Sequence, residues 1–233
     1  WLIEQGHAKP ENILAMTFTD KAAGEMEERV DVLLPYGYAD LQISTFHSFC
    51  ERLLRDYGAD IGMSRDFKLL SEQDAWLLIR KNFERFDLDY FRPMGNPTKY
   101  IKGMLTHFSR AKDSNISPED YLSFAECLSA NQDSKTTDNE TTSELVRITE
   151  LANAYHTYEQ IILENDSIDF GGLIMLSLYL LKKLPKILKQ VRERYKYILV
   201  DEFQDTNYAQ YELVKLIAEP KNNLTVVGDD DQA

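Results

Sequence analysis

Tyr197-Ile-Leu-Val-Asp-Glu-Phe-Gln-Asp-Thr-Asn207 decides the fold. Its apolar opening reads as a buried strand of a parallel sheet, and its C-terminal end delivers two adjacent carboxylates, Asp201 and Glu202. Nucleotide-hydrolysing α/β folds keep a metal-binding acid and a base at such strand ends. A second apolar run, Leu224-Thr-Val-Val-Gly-Asp-Asp-Asp-Gln232, ends in the same way. Two neighbouring strands are therefore expected to set acidic and amide groups along one rim of a sheet.

Working outward, Ile13-Leu-Ala-Met-Thr-Phe-Thr19 reads as a strand, followed by Ala22, Ala23, Met26, Val30 and Leu33 at helical spacing, with Thr19 or Asp20 able to cap that helix. Gln42-Ile-Ser-Thr-Phe46 reads as a further strand, followed by a helix with Phe49, Leu53 and Tyr57 on one face and Gly58 as its stop. Alternating strands and helices imply α/β architecture with a parallel sheet. From Ser71 the character changes. Ser71 to Asp74 and Ser117 to Asp120 have capping-box form, and no strand-like alternation appears for about a hundred residues, which predicts a helical insertion. Within it, residues 131–143 offer nothing aliphatic or aromatic to bury and read as a mobile loop. A long helix then carries Leu145, Ile148, Ala152, Tyr155, Tyr158 and Ile162 on one stripe, and an apolar helix from Gly172 to Leu184 ends at Pro185. The expected division is 1–70 and 169–233 for the sheet-bearing domain and 71–168 for the insertion.

A chain of 233 residues with 43% hydrophobic content can bury a sizeable core. Its net charge of −13, from 26 basic and 39 acidic residues, excludes a protein that coats nucleic acid through a broad basic surface, so any polynucleotide contact must be local. Two distant cysteines, Cys50 and Cys127, suggest neither a disulfide framework nor a zinc cluster; both are expected to be inert core thiols in a reducing cytoplasm. The longest apolar stretch, Leu173 to Leu181, is about half a membrane span. Lys182 to Lys196 holds seven basic residues and one acid, open to two readings, a solvated helix face or a phosphate-facing patch.

Asp201-Glu-Phe-Gln-Asp-Thr-Asn207 resembles motif II of the UvrD/Rep-type superfamily 1 DNA helicases, and Val227-Gly-Asp-Asp-Asp-Gln232 resembles their motif III. Thr17-Phe-Thr-Asp-Lys-Ala-Ala23 with Glu25, Met26, Arg29 and Val30 is similar to motif Ia, Ile43-Ser-Thr-Phe-His-Ser-Phe49 to motif Ib, and Ser167-Ile-Asp-Phe-Gly-Gly-Leu173 to the block that closes the family's helical 1B subdomain. The resemblance implies part of a RecA-like P-loop NTPase domain, 1A, interrupted by an all-helical 1B insertion, within an ATP-dependent motor moving 3′ to 5′ on single-stranded DNA in repair or replication restart. It implies ATP and Mg²⁺ as cofactors. Asp201 would hold the metal, Glu202 would act as base on the attacking water, and Gln232 would meet the γ-phosphate. Phe18 would stack on a base, Thr17 and Thr19 would touch the DNA backbone, Thr45 and His47 would contact phosphates, and Phe170 would approach DNA from the insertion. Single-stranded, 3′-tailed or forked DNA, a second motor domain of the same parent and repair or replication proteins are the implied partners; a membrane is not.

No Gly-x-x-x-x-Gly-Lys-Ser/Thr pattern occurs, the chain lacks an initiator Met, and Ala233 follows Gln232 directly, so a piece of a longer protein without ATPase activity of its own is expected. In motif Ia, Asp20 stands where relatives usually carry Asn, and Gly171-Gly172 replaces a more acidic pair. Other readings are the motor part of a RecB or AddA type helicase-nuclease, a non-catalytic docking scaffold, and a two-metal nuclease using Asp201, Glu202, Asp229 and Asp230.

Overall fold

The computed structural model describes residues 1–33, 41–130, 139–229 and 231, with the side chains of 139–142 left out. Its principal elements, in chain order, are β1 (Ile13–Thr17), α1 (Asp20–Leu33), β2 (Gln42–Thr45), α2 (Phe46–Tyr57), β3 (Lys68–Leu70), α3 (Glu72–Lys81), α4 (Ile101–Asp113), α5 (Pro118–Ala130), α6 (Asn139–Glu164), β4 (Ser167–Asp169), α7 (Phe170–Lys183), α8 (Pro185–Arg194), β5 (Tyr197–Val200), α9 (Tyr208–Ala218) and β6 (Leu224–Val226). They form two compact units, one of residues 1–65 with 173–233, the other of residues 66–172.

The first unit is built on a parallel four-stranded sheet in the order β2-β1-β5-β6. β1 is buried at all five residues because it has a partner on each side: Ala15 stands opposite Ile43 of β2 and Leu199 of β5. The helical spacing after β1 puts Ala23, Met26 and Val30 of α1 against Ala15, Ile43 and Leu199. α2 buries Phe49, Cys50, Leu53 and Leu54, and α9 buries Leu213, Val214 and Ile217. Burial pushes the Cys50 thiol up to about 12, so it stays protonated and inert.

The strands end earlier than their apolar runs suggest. Phe18 and Thr19 lie beyond β1, and Phe46 opens α2 because Thr45 caps that helix, accepting from the Ser48 N–H. Gly58 does not stop α2 through a left-handed residue; its φ of −61° lets the chain run on into a 3-10 turn, and the left-handed position falls at Gly62, φ 89°. Pro185 both follows α7 and opens α8, where a missing N–H costs nothing.

The second unit is mostly helical, with one feature not read from its sequence: β3 and β4 pair in parallel, Leu70 opposite Asp169. Both capping boxes form, Ser71 with Asp74 and Ser117 with Asp120. The core joins Ile79, Phe83, Ile101, Met104 and Phe108 to the α6 stripe, where Phe108 stacks on Tyr155 and Tyr158 with ring centroids 5.1 and 5.4 Å apart. Residues 139–143, expected in the mobile loop, open α6 instead, while 131–138 lie outside the described residues. Their Thr, Ser and Glu content tolerates a helix once an apolar stripe follows. Cys127 is exposed on α5, a correction to its expected place in the core.

This unit also buries a charge. Lys112, 1% exposed, meets Glu159 at 2.5 Å and Asp169 at 2.6 Å, and the Tyr158 hydroxyl donates to Asp169 at 3.0 Å. Burial opposes the charge on Lys112, but the two carboxylates outweigh it and hold its pKa above the usual value. Gly171 packs on the stem of this lysine: a Cβ there would lie 2.9 Å from both its Cβ and its Cδ. No helix among the described residues is long and apolar enough to cross a membrane.

Candidate functional site

All four strands of the first unit run the same way, so the residues that follow them leave one C-terminal edge: Phe18 and Thr19 after β1, Phe46 and His47 after β2, Asp201 and Glu202 after β5, and Val227 to Asp229 after β6. Chain order reverses between β1 and β5, since β2 lies on one side of that pair and β6 on the other. Open α/β sheets bind ligands in the crevice at such a reversal.

Backbone hydrogen bonds carry the ladder past the strand ends. The Asp201 N–H donates to the Met16 carbonyl at 2.9 Å, the Val227 N–H to Val200 at 2.8 Å, and the Phe203 N–H back to Val227 at 2.9 Å. Between these anchors Glu202 adopts φ 52°, a left-handed conformation that costs a residue with a Cβ about 1–3 kcal/mol. The turn sends Glu202 to the exposed rim, while Asp201 stays half-buried beneath it. Gln204, which the reading of the sequence passed over, donates from Nε2 to Glu202 Oε2 at 2.6 Å and accepts at Oε1 from the Asp229 N–H at 3.1 Å. The signal for it was an amide two residues beyond an acid at a strand end. Gln232 lies outside the described residues.

The residues expected at DNA divide by exposure. Phe18 is 47% exposed at the edge, and Thr19 beside it accepts from the Ala22 N–H at 3.1 Å, capping α1 while keeping a hydrogen to donate. Thr17 is fully buried, and its hydroxyl has no hydrogen-bond partner among the described residues. Thr45 is also buried; its hydroxyl accepts from the Ser48 N–H and donates to Ser48 Oγ at 2.9 Å, so the cap occupies it. His47 is half-buried in the first turn of α2.

Among the described residues no cluster of three or more His, Cys, Asp or Glu could hold a metal by itself. Asp201 with Glu202 supplies hard oxygens from neighbouring positions, which suits Mg²⁺: that ion takes one or two carboxylates and completes its shell with water and phosphate oxygens.

A family model for the UvrD/REP helicase N-terminal domain matches residues 1–233. The chain belongs to this family. It is 38% identical over 234 residues to the ATP-dependent DNA helicase PcrA of Bacillus subtilis (strain 168), 37% over 238 residues to the DNA helicase II of Rickettsia typhi, and 36% over 237 residues to a probable DNA helicase II homolog of Rickettsia felis. Each match covers 100% of the chain but only 28%, 32% and 32% of these relatives.

In this UvrD/REP helicase N-terminal domain, the C-terminal edge gathers residues 17–19, 45–47 and 201–202, and Phe170 belongs to the other compact unit. There it opens α7, 48% exposed, directly after Asp169, whose Oδ1 accepts from the Gly172 N–H at 2.8 Å. Gly171 and Gly172 thus have a packing reason, close approach to Lys112 and to the Asp169 cap. The basic stretch divides as well: Arg192 donates to the Leu216 carbonyl at 2.6 and 3.0 Å, while Lys186, Lys189 and Arg194 are solvated.

Proposed function

We propose that this domain is part of an ATP-dependent motor that moves 3′ to 5′ on single-stranded DNA, in repair or replication restart. Asp201 holds Mg²⁺ through water, Glu202 orients the attacking water and takes its proton, and Gln232 meets the γ-phosphate. Bound Mg²⁺ supplies neutralisation of the phosphate charge. Phe18 stacks on a base, worth about 1–3 kcal/mol and indifferent to sequence, as a translocating motor requires. Thr19 touches the DNA backbone, and His47 meets a phosphate from the first turn of α2, where the helix dipole favours an anion. Phe170 meets DNA from the 66–172 unit, which acts as the 1B insertion. A phosphate-gripping lysine and an arginine finger come from elsewhere in the parent, so this stretch alone does not turn over ATP.

One observation carries the reading: Asp201 is hydrogen-bonded to Met16, two residues before Phe18. The nucleotide-facing acids and the DNA-facing aromatic therefore leave adjacent strands of one sheet. The test is ATP hydrolysis by the full-length protein with and without single-stranded DNA. Stimulation by DNA that disappears in Glu202→Gln is the expected result; normal hydrolysis by that variant would remove Glu202 from the role of base.

A further inference from the structure

Gln204 spans the site from one strand end to the other. Its amide donates to Glu202 Oε2 at 2.6 Å and accepts from the Asp229 N–H at 3.1 Å. A carboxylate can only accept and a backbone N–H can only donate, so a single orientation of the amide satisfies both. Gly228 closes on the same group: a Cβ at that position would stand 2.9 Å from Gln204 Oε1, and any larger residue would push the amide aside. Glu202 is exposed on a side chain with three rotatable bonds, so a hydrogen bond to one oxygen decides where the other points.

We infer that Gln204 is a positioning residue that ties the orientation of the Glu202 carboxylate to the place of the chain just after β6. The inference rests on the reading of Glu202 as the base. While residues 228–229 lie against the Phe203–Gln204 turn, the amide is held at both ends and Glu202 presents Oε1 to a water. When that segment shifts, the Asp229 N–H leaves, the amide rotates, and the carboxylate loses its fixed direction. The base is thereby armed only when the end of β6 is in place, so an event that moves the one changes the other.

The experiment is steady-state ATP hydrolysis by the full-length protein with saturating single-stranded DNA, comparing wild type, Glu202→Gln, Gln204→Ala, Gln204→Glu, Gly228→Ala and the Gln204→Ala/Gly228→Ala pair. Gln204→Ala is expected to lower kcat about tenfold with the KM for ATP changed less than about twofold. Gln204→Glu can still accept from the Asp229 N–H but has no hydrogen to donate to Glu202, so it is expected to lower kcat as Gln204→Ala does, again with little change in KM. This substitution is isosteric and keeps the test open should Gln204→Ala fold poorly. Gly228→Ala is expected to lower kcat in the wild type and to add nothing in the Gln204→Ala background. An inactive Glu202→Gln beside Gln204 variants of normal kcat would overturn the inference and leave the base intact. An active Glu202→Gln would overturn the base reading itself.

Discussion

β4 ends at an aspartate and β5 is followed directly by one, each with a phenylalanine close behind, and the two aspartates have opposite surroundings. Asp169, after Ile168, is locked by the Lys112 ammonium, the Tyr158 hydroxyl and the Gly172 N–H, and Glu159 completes the cluster. Asp201 and Glu202, after Val200, have their backbone fixed by neighbouring strands and a carboxylate on the rim. An acid at a strand end is thus not a site by residue type. Its partners decide: a buried cation makes it part of the framework, while an anchored backbone with an exposed side chain leaves it available for chemistry.

The largest effect expected from this contrast is on stability. Lys112→Met would leave Glu159 and Asp169 facing each other without a cation and should cost about 3–5 kcal/mol. Thermal melting of the full-length protein would show it, and a wild-type melting curve would break the comparison. Glu202→Gln should do the reverse: turnover falls at least about 100-fold, equivalent to about 2.7 kcal/mol of barrier, while stability stays within about 0.5 kcal/mol. A large drop in stability would move Glu202 to the framework side. Gly171→Ala should fall between, costing about 1–3 kcal/mol because its Cβ meets the Lys112 stem rather than a movable tip; a neutral outcome by chemical denaturation would mean that the lysine stem yields.

The smallest effect is a pH slope. Burial, with Arg110 nearby, holds His107 below 6.5, so the unfolded chain takes up the proton first as pH falls. Stability is undiminished above about pH 6.5, declines as pH drops from there through the folded pKa, and then levels. His107→Gln can still meet the Tyr121 hydroxyl, which lies 2.8 Å from His107 Nε2, and should flatten that decline in melts from about pH 8 to about pH 5. An equally steep variant would assign the slope to other groups.

The sheet was legible because β1, β5 and β6 open on apolar residues and β2, Gln42-Ile-Ser-Thr45, leads into a helix with a clear apolar face. β3 and β4 were not, since three residues such as Ser167-Ile-Asp169 are too short to show alternation. Asp201 and Glu202 could be read because sequence order alone sets them at a strand end. Lys112 was not singled out, although it continues the buried stripe Ile101, Met104, Leu105, Phe108 and Ala111 of α4, which could have flagged it. The Gln204 bridge crosses 25 residues to Asp229, and no local pattern announces a contact of that separation. Thr45 shows the remaining limit: its hydroxyl serves the cap of α2, a use that its place in a motif does not reveal.

The parallel pairing of β1 with both β2 and β5 has a mechanical side. A pull on Phe18 along the strand loads the hydrogen bonds of two flanking ladders in shear, together, rather than peeling them apart singly. The hydrogen bond from the Asp201 N–H to the Met16 carbonyl lies in that load path, so tension at the aromatic ring and the seat of the acid share one stiff lever.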